Sequence, residues 1–116
     1  MKVGLTQFCV GPDPKTNAKQ LESLVLQGID DGCEFILTPE ACNVIQPDRA
    51  VLQQTVSHAE EDPVFQMAQR VAAERQVFIC LGSLLVQGGG EGKLVNRQIL
   101  LDPAGAVINS SDKITP

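Results

Sequence analysis

Glu40 closes the segment Phe35-Ile36-Leu37-Thr38-Pro39-Glu40, and Lys113 closes Asn109-Ser110-Ser111-Asp112-Lys113. A carboxylate can take up and return a proton, and an ammonium can balance negative charge developing on a reacting atom. Glu40 follows an apolar run that reads as a buried strand, and ligands of open α/β sheets bind just beyond the carboxyl ends of strands. Each residue also has a plain reading. A proline and an acid after a strand commonly begin a loop or a helix, where the charge suits the helix N-terminus. A lysine after Ser-Ser-Asp is commonly solvated, or loosely paired with Asp112.

Other candidate motifs fall away on their own chemistry. Gly88-Gly89-Gly90-Glu91-Gly92-Lys93 suggests a phosphate loop, but Gln87 and Leu94 stand where that motif needs Gly and Ser or Thr. His58 has no Cys or His at metal-ligand spacing, so no metal site is expected, and it reads as a surface or cap residue. The four cysteines, Cys9, Cys33, Cys42 and Cys80, are irregularly spaced and form no C-x-x-C pair. They read as reduced thiols, with Cys80 a small core hydrophobe in Val77-Phe78-Ile79-Cys80-Leu81.

The elements that must position Glu40 and Lys113 follow from periodicity. Residues 3–8 read as a first strand, and Gly11-Pro12-Asp13-Pro14 breaks regular structure. A helix follows, with Asn17 and Gln20 in capping-box spacing and Leu21, Leu24, Val25 and Ile29 on one face. Gly32 suits its C-terminal stop. Residues 34–37 form a second strand, parallel to the first across this βαβ unit. Asp62-Pro63 announces a second helix with a stripe of Val64, Met67, Ala68, Val71 and Ala72. Strands over 77–85, 94–101 and 106–108, joined by glycine-rich turns, read as an antiparallel meander. The expected fold is α/β with a mixed β-sheet, in a single domain over residues 1–116.

Composition narrows the partners. The formal charge is −5, the nine basic residues are dispersed, and aromatics make up 3% with no Trp or Tyr. Nothing here attracts phosphate or stacks bases, so neither nucleic acid nor an anionic membrane is an expected partner. No apolar run reaches the roughly 18 residues of a membrane span, and residues 1–7 lack the apolar stretch of a signal peptide. A cytoplasmic location is expected.

Several segments occur in an order that resembles the nitrilase superfamily of carbon–nitrogen hydrolases. They are Lys2-Val3-Gly4-Leu5-Thr6-Gln7, Glu34-Phe35-Ile36-Leu37-Thr38-Pro39-Glu40, Leu81-Gly82-Ser83, and Val95-Asn96-Arg97-Gln98-Ile99-Leu100-Leu101-Asp102-Pro103-Ala104-Gly105. Lys113 then falls where that family carries its catalytic lysine. The resemblance implies the N-terminal part of an α-β-β-α sandwich, with helices on one face of the sheet. It implies Glu40 as general base and Lys113 as the cation that stabilises the anionic intermediate. A nucleophilic cysteine would arrive from a separate strand beyond Pro116, so Cys42, two residues from Glu40, is not expected to replace it. The family's histidine two residues after the lysine is replaced by Thr115. The implied substrate is a small-molecule amide or nitrile, hydrolysed through a thioacyl intermediate without metal or organic cofactor, in a homo-oligomer. Residues 1–116 are then a domain truncated before its nucleophile segment and inactive alone. The competing expectation is a complete, non-catalytic α/β interaction module in which Glu40 and Lys113 are surface charges.

Overall fold

The computed structural model of the chain describes residues 1–5, 11–40, 42–88, 90 and 92–113, with Lys113 described through its backbone. In chain order the elements are β1 (Val3–Leu5), α1 (Pro14–Asp30), β2 (Phe35–Leu37), α2 (Arg49–Thr55), a 3-10 turn (Ala59–Glu61), α3 (Pro63–Arg75), β3 (Phe78–Gln87), β4 (Leu94–Leu101) and β5 (Val107–Lys113). The sheet order is β1-β2-β3-β4-β5. β1, β2 and β3 are parallel, whereas β3–β4 and β4–β5 are antiparallel. The mixed sheet is therefore as expected, and β1, β2, β3 and β5 all run in one direction.

Register sorts the side chains into two faces, because paired residues point the same way. Gly4, Ile36, Ile79, Leu101 and Val107 form one row. On this side Ile36, Ile79, Leu81, Leu84, Val86, Ile99 and Leu101 are buried, together with Leu21 and Val25 of α1 and Val64, Met67, Ala68 and Val71 of α3. Each fully buried aliphatic side chain there contributes about 1.5–3 kcal/mol relative to exposure. Leu5, Leu37, Cys80, Leu100 and Asn109 form the neighbouring row on the other face. No described helix covers that face: Val3 is 56% and Leu5 72% exposed. Phe35 and Phe78 stack there, with ring centroids 6.1 Å apart.

Three expectations change. The cap of α1 is Asp13, which accepts from Lys15 N–H and Thr16 Oγ1, with Pro14 at the first helical position. Asn17 instead lies inside α1, buried, because its amide satisfies the backbone of Gly11. α2 was not expected; Asp48 caps it by accepting from Ala50 and Val51 N–H. The last strand is longer than residues 106–108, since edge pairing with β4 holds even polar Ser110, Ser111 and Asp112 extended. Gly32, with φ +95°, ends α1 as expected, and Asp62 caps α3. The expected first-strand residues 6–8, together with Cys9, Val10, Gly89, Glu91, Thr115 and Pro116, lie outside the described residues.

Candidate active site

β2 ends at Leu37, opposite Cys80, while β3 continues to Gln87. The β2-side edge of β3 would therefore present unpaired backbone groups, which is costly if they are buried. The segment after β2 meets them. Thr38 N–H donates to Cys80 O (3.0 Å), and Gly82 N–H donates to Thr38 Oγ1 (3.1 Å). Cys42 N–H donates to Ser83 O (3.2 Å), and the Asn43 side chain pairs with Leu85. Farther along, Gln87 N–H donates to Ser57 O (2.9 Å).

This stitching crosses a register irregularity in β3 between Leu81 and Leu84. The backbone approach there is so close that a Cβ on Gly82 would lie 2.2 Å from Thr38 O. A glycine is required for steric reasons, so Gly82, in the Leu81-Gly82-Ser83 segment, has a direct structural duty beside Glu40.

Glu40 is exposed in a turn just beyond the carboxyl end of β2. Its flanks are fixed by Thr38 and Cys42, the intervening Ala41 lying outside the described residues. Lys113 is the last described residue of β5, opposite Asn96, which is itself opposite Leu85 of β3. Its backbone thus shares a row with the residue that Asn43 grips, two strand spacings or about 10 Å away. Because β2 and β5 run the same way, Glu40 and Lys113 both stand at carboxyl ends on one end of the sheet. Near Lys113, Arg97 makes a two-pronged ion pair with Asp112, at 2.7 and 3.2 Å. That pairing holds the Asp112 carboxyl below its ordinary value.

The described cysteines lack the character of a nucleophile. Cys42 is fully buried, donates to Ser83 O and receives the Thr38 hydroxyl; burial pushes its thiol up to about 12. Thiolate, the reactive form, is therefore scarce at neutral pH. Cys33 and Cys80 are also free and buried, and burial raises the Cys80 thiol. Cys80 faces away from the helices and receives Gln98 Nε2 at 3.8 Å. His58 precedes the 3-10 turn without capping it. Among the described residues no group of three or more His, Cys, Asp or Glu is placed to hold a metal ion, and no helix is long and apolar enough to cross a membrane.

Asn43 and Val44, three and four residues after Glu40, are buried, and Asn43 is the hub of a polar network. Its Nδ2 donates to Asp62 Oδ1, and its backbone carbonyl accepts from Asn17 Nδ2, each at 2.9 Å. Asp62, pushed up by burial, also accepts from Val64 and Phe65 N–H. The available signal was an asparagine set between Cys42 and Val44, where an uncapped polar side chain among apolar ones calls for a distant partner.

The candidate site is thus an α/β layer with a carboxylate just beyond the carboxyl end of one of its parallel strands. The chain matches the carbon-nitrogen hydrolase family over residues 2–116 and belongs to that family. No curated protein matches it. Among solved structures, the C. elegans NitFhit protein superposes with a TM-score of 0.84 at 15% identity, over 100% of this chain and 29% of that one. An amidase from Nesterenkonia sp. gives 0.79 at 24% identity, over 99% of this chain and 43% of that one. An N-terminal amidase gives 0.74 at 19% identity, over 94% and 27%. The chain thus spans less than half the length of each. The Nesterenkonia amidase has also been captured with acrylamide added to its active-site cysteine.

Proposed function

We propose that the chain is the glutamate- and lysine-bearing part of a hydrolase that cleaves a small-molecule amide or nitrile through a thioacyl intermediate. Glu40 is the general base: it takes the proton of a cysteine thiol, passes it to the departing amine or ammonia, and then activates water. Lys113 places positive charge at the oxygen or nitrogen that becomes anionic. The nucleophile comes from a segment beyond these 116 residues, as the family resemblance implies; Cys42, the cysteine nearest Glu40 in sequence, is buried with its thiol pushed up to about 12. The observation that carries this reading is the presentation of Glu40 from an anchored loop at the same end of the sheet as Lys113, within a chain of this family. The Nesterenkonia amidase, whose active-site cysteine adds to acrylamide in a glutamate-to-glutamine variant, supports a cysteine nucleophile by analogy.

The test is ammonia release from simple amides and nitriles by the cysteine-containing protein. Glu40→Gln and Lys113→Ala should each lower kcat about 10³-fold, and residues 1–116 alone should be silent. Undiminished turnover in both variants would overturn the assignment. The proposal extends to a cytoplasmic homo-oligomer in which the open sheet face bearing Val3 and Leu5 is covered. A monomer in light scattering that binds no hydrophobic dye would count against that association.

A further inference from the structure

Asn43 is almost wholly buried, and its amide is fully committed. Nδ2 donates to Leu85 O at 2.8 Å and to Asp62 Oδ1 at 2.9 Å, while Oδ1 accepts Leu85 N–H at 2.9 Å. The pair of bonds to Leu85 imitates a neighbouring strand: one amide offers a donor and an acceptor to one residue's C=O and N–H. All three partners fix which way the amide faces. Flipped, Oδ1 would meet both Leu85 O and the Asp62 carboxylate, and Nδ2 would meet the Leu85 N–H, so three attractions would become three repulsions.

Asp62 is itself held by Val64 and Phe65 N–H at the start of α3. A continuous line of hydrogen bonds therefore runs from α3 through Asp62 and Asn43 to Leu85 of β3, passing three residues from Glu40 at Asn43. At the other flank Thr38 accepts Gly82 N–H and donates to Cys42 Sγ.

We infer that Asn43 is a positioning residue for Glu40, clamping the far flank of its loop to Leu85 as Thr38 clamps the near flank to Gly82. The inference rests on the proton-transfer role proposed above for Glu40. A general base must stay within hydrogen-bond reach of the proton it takes, and a displacement of about 1 Å can cost about 100-fold in rate. Neither clamp touches substrate; each acts by holding the backbone on either side of the carboxylate.

The test compares Asn43→Ala with Thr38→Val, which removes a single hydroxyl from the opposite flank and serves if the alanine variant does not fold. In the 116-residue chain, hydrogen exchange at the Cys42 and Leu85 amides should quicken at least tenfold in Asn43→Ala. Val25 of α1 and Ile99 of β4 should keep their rates, and the Glu40 carboxyl carbon resonance should move toward that of an unrestrained glutamate. In Thr38→Val the Gly82 amide should respond in the same selective way. In the cysteine-containing protein kcat should fall about 30- to 100-fold with KM within about threefold. A uniform rise in exchange across α1, β4 and the loop, an unmoved Glu40 resonance, or a change in KM alone would each overturn the positioning role. If the unsubstituted protein shows no Glu40-dependent turnover, the proposed function fails instead, and exchange with the Glu40 resonance decides the clamp.

Discussion

The loop that carries Glu40 and the strand that carries Lys113 belong to one end of one sheet, yet different forces hold them. The Glu40 loop is anchored inward: a hydroxyl, two backbone amides and a buried asparagine tie it to β3, and a buried aspartate steadies the asparagine. β5 is an edge strand whose described residues are exposed, held by its ladder to β4 and by the solvent-facing Arg97–Asp112 pair. Removing a buried partner leaves a desolvated group unsatisfied, whereas removing a surface partner returns its mate to water. Glu40 is thus presented from a firmly held frame, while Lys113 stands on an edge strand whose constraint is lighter.

The largest test of that contrast pits two glycines against each other. Gly82→Ala forces a Cβ against Thr38 O and should cost about 3 kcal/mol in urea unfolding. Gly92→Ala in the β3–β4 hairpin meets no atom within 4 Å and bears only the strain of φ +72°, about 1 kcal/mol. Equal losses would erase the distinction. Next in size, Thr38→Val should cost about 1–2 kcal/mol by stranding Gly82 N–H. A loss below about 0.3 kcal/mol would mean that the loop is not bound as described. A double-mutant cycle on Arg97 and Asp112 should yield less than about 1 kcal/mol and shrink in salt. A salt-resistant coupling above about 2 kcal/mol would make the edge as firm as the loop.

The smallest expected effect is one of sign. Burial holds the Asp62 carboxyl above its ordinary 3.8 in the folded chain, so the folded state keeps that proton longer. Asp62 therefore contributes stability below pH 3.8 that is lost as pH rises through its folded value. Arg97 holds Asp112 below 3.8, so its contribution is present above that pH and lost on further acidification. In urea unfolding from pH 3 to 7, Asp62→Asn should reduce the fall in stability on raising pH, and Asp112→Asn the fall on lowering it. Parallel responses would contradict the difference in surroundings.

How much of this could be read beforehand depended on how local each cause was. Asp62-Pro63 started a helix, Gly32 stopped one and Asp102-Pro103-Ala104-Gly105 made a turn, because each signal lies within a few residues of its effect. Asp13-Pro14 carries the same helix-start chemistry, but the preceding Gly11-Pro12 made it look like a plain break, and Asn17 was assigned the cap instead. Glu40 and Lys113 stood out through their family pattern; Thr38 and Gly82 lay in segments of that pattern without their framing contact being legible, and Asn43 lay outside it. Asn43 finds its partners at positions 62 and 85, and the need for Gly82 arises only when Thr38 is laid across it. β5 ran past its apolar stretch because an edge strand draws its order from its neighbour's backbone.

Since Thr38 and Cys42 each answer a fixed backbone group on β3, the stretch between them acts as a ruler. Apart from Glu40 its composition can drift, but its length cannot. A single inserted or deleted residue would carry Asn43 off Leu85 and leave Asp62 without its amide. Lineages of this chain should therefore tolerate substitutions at Pro39 far more readily than any change in the spacing between Thr38 and Asn43.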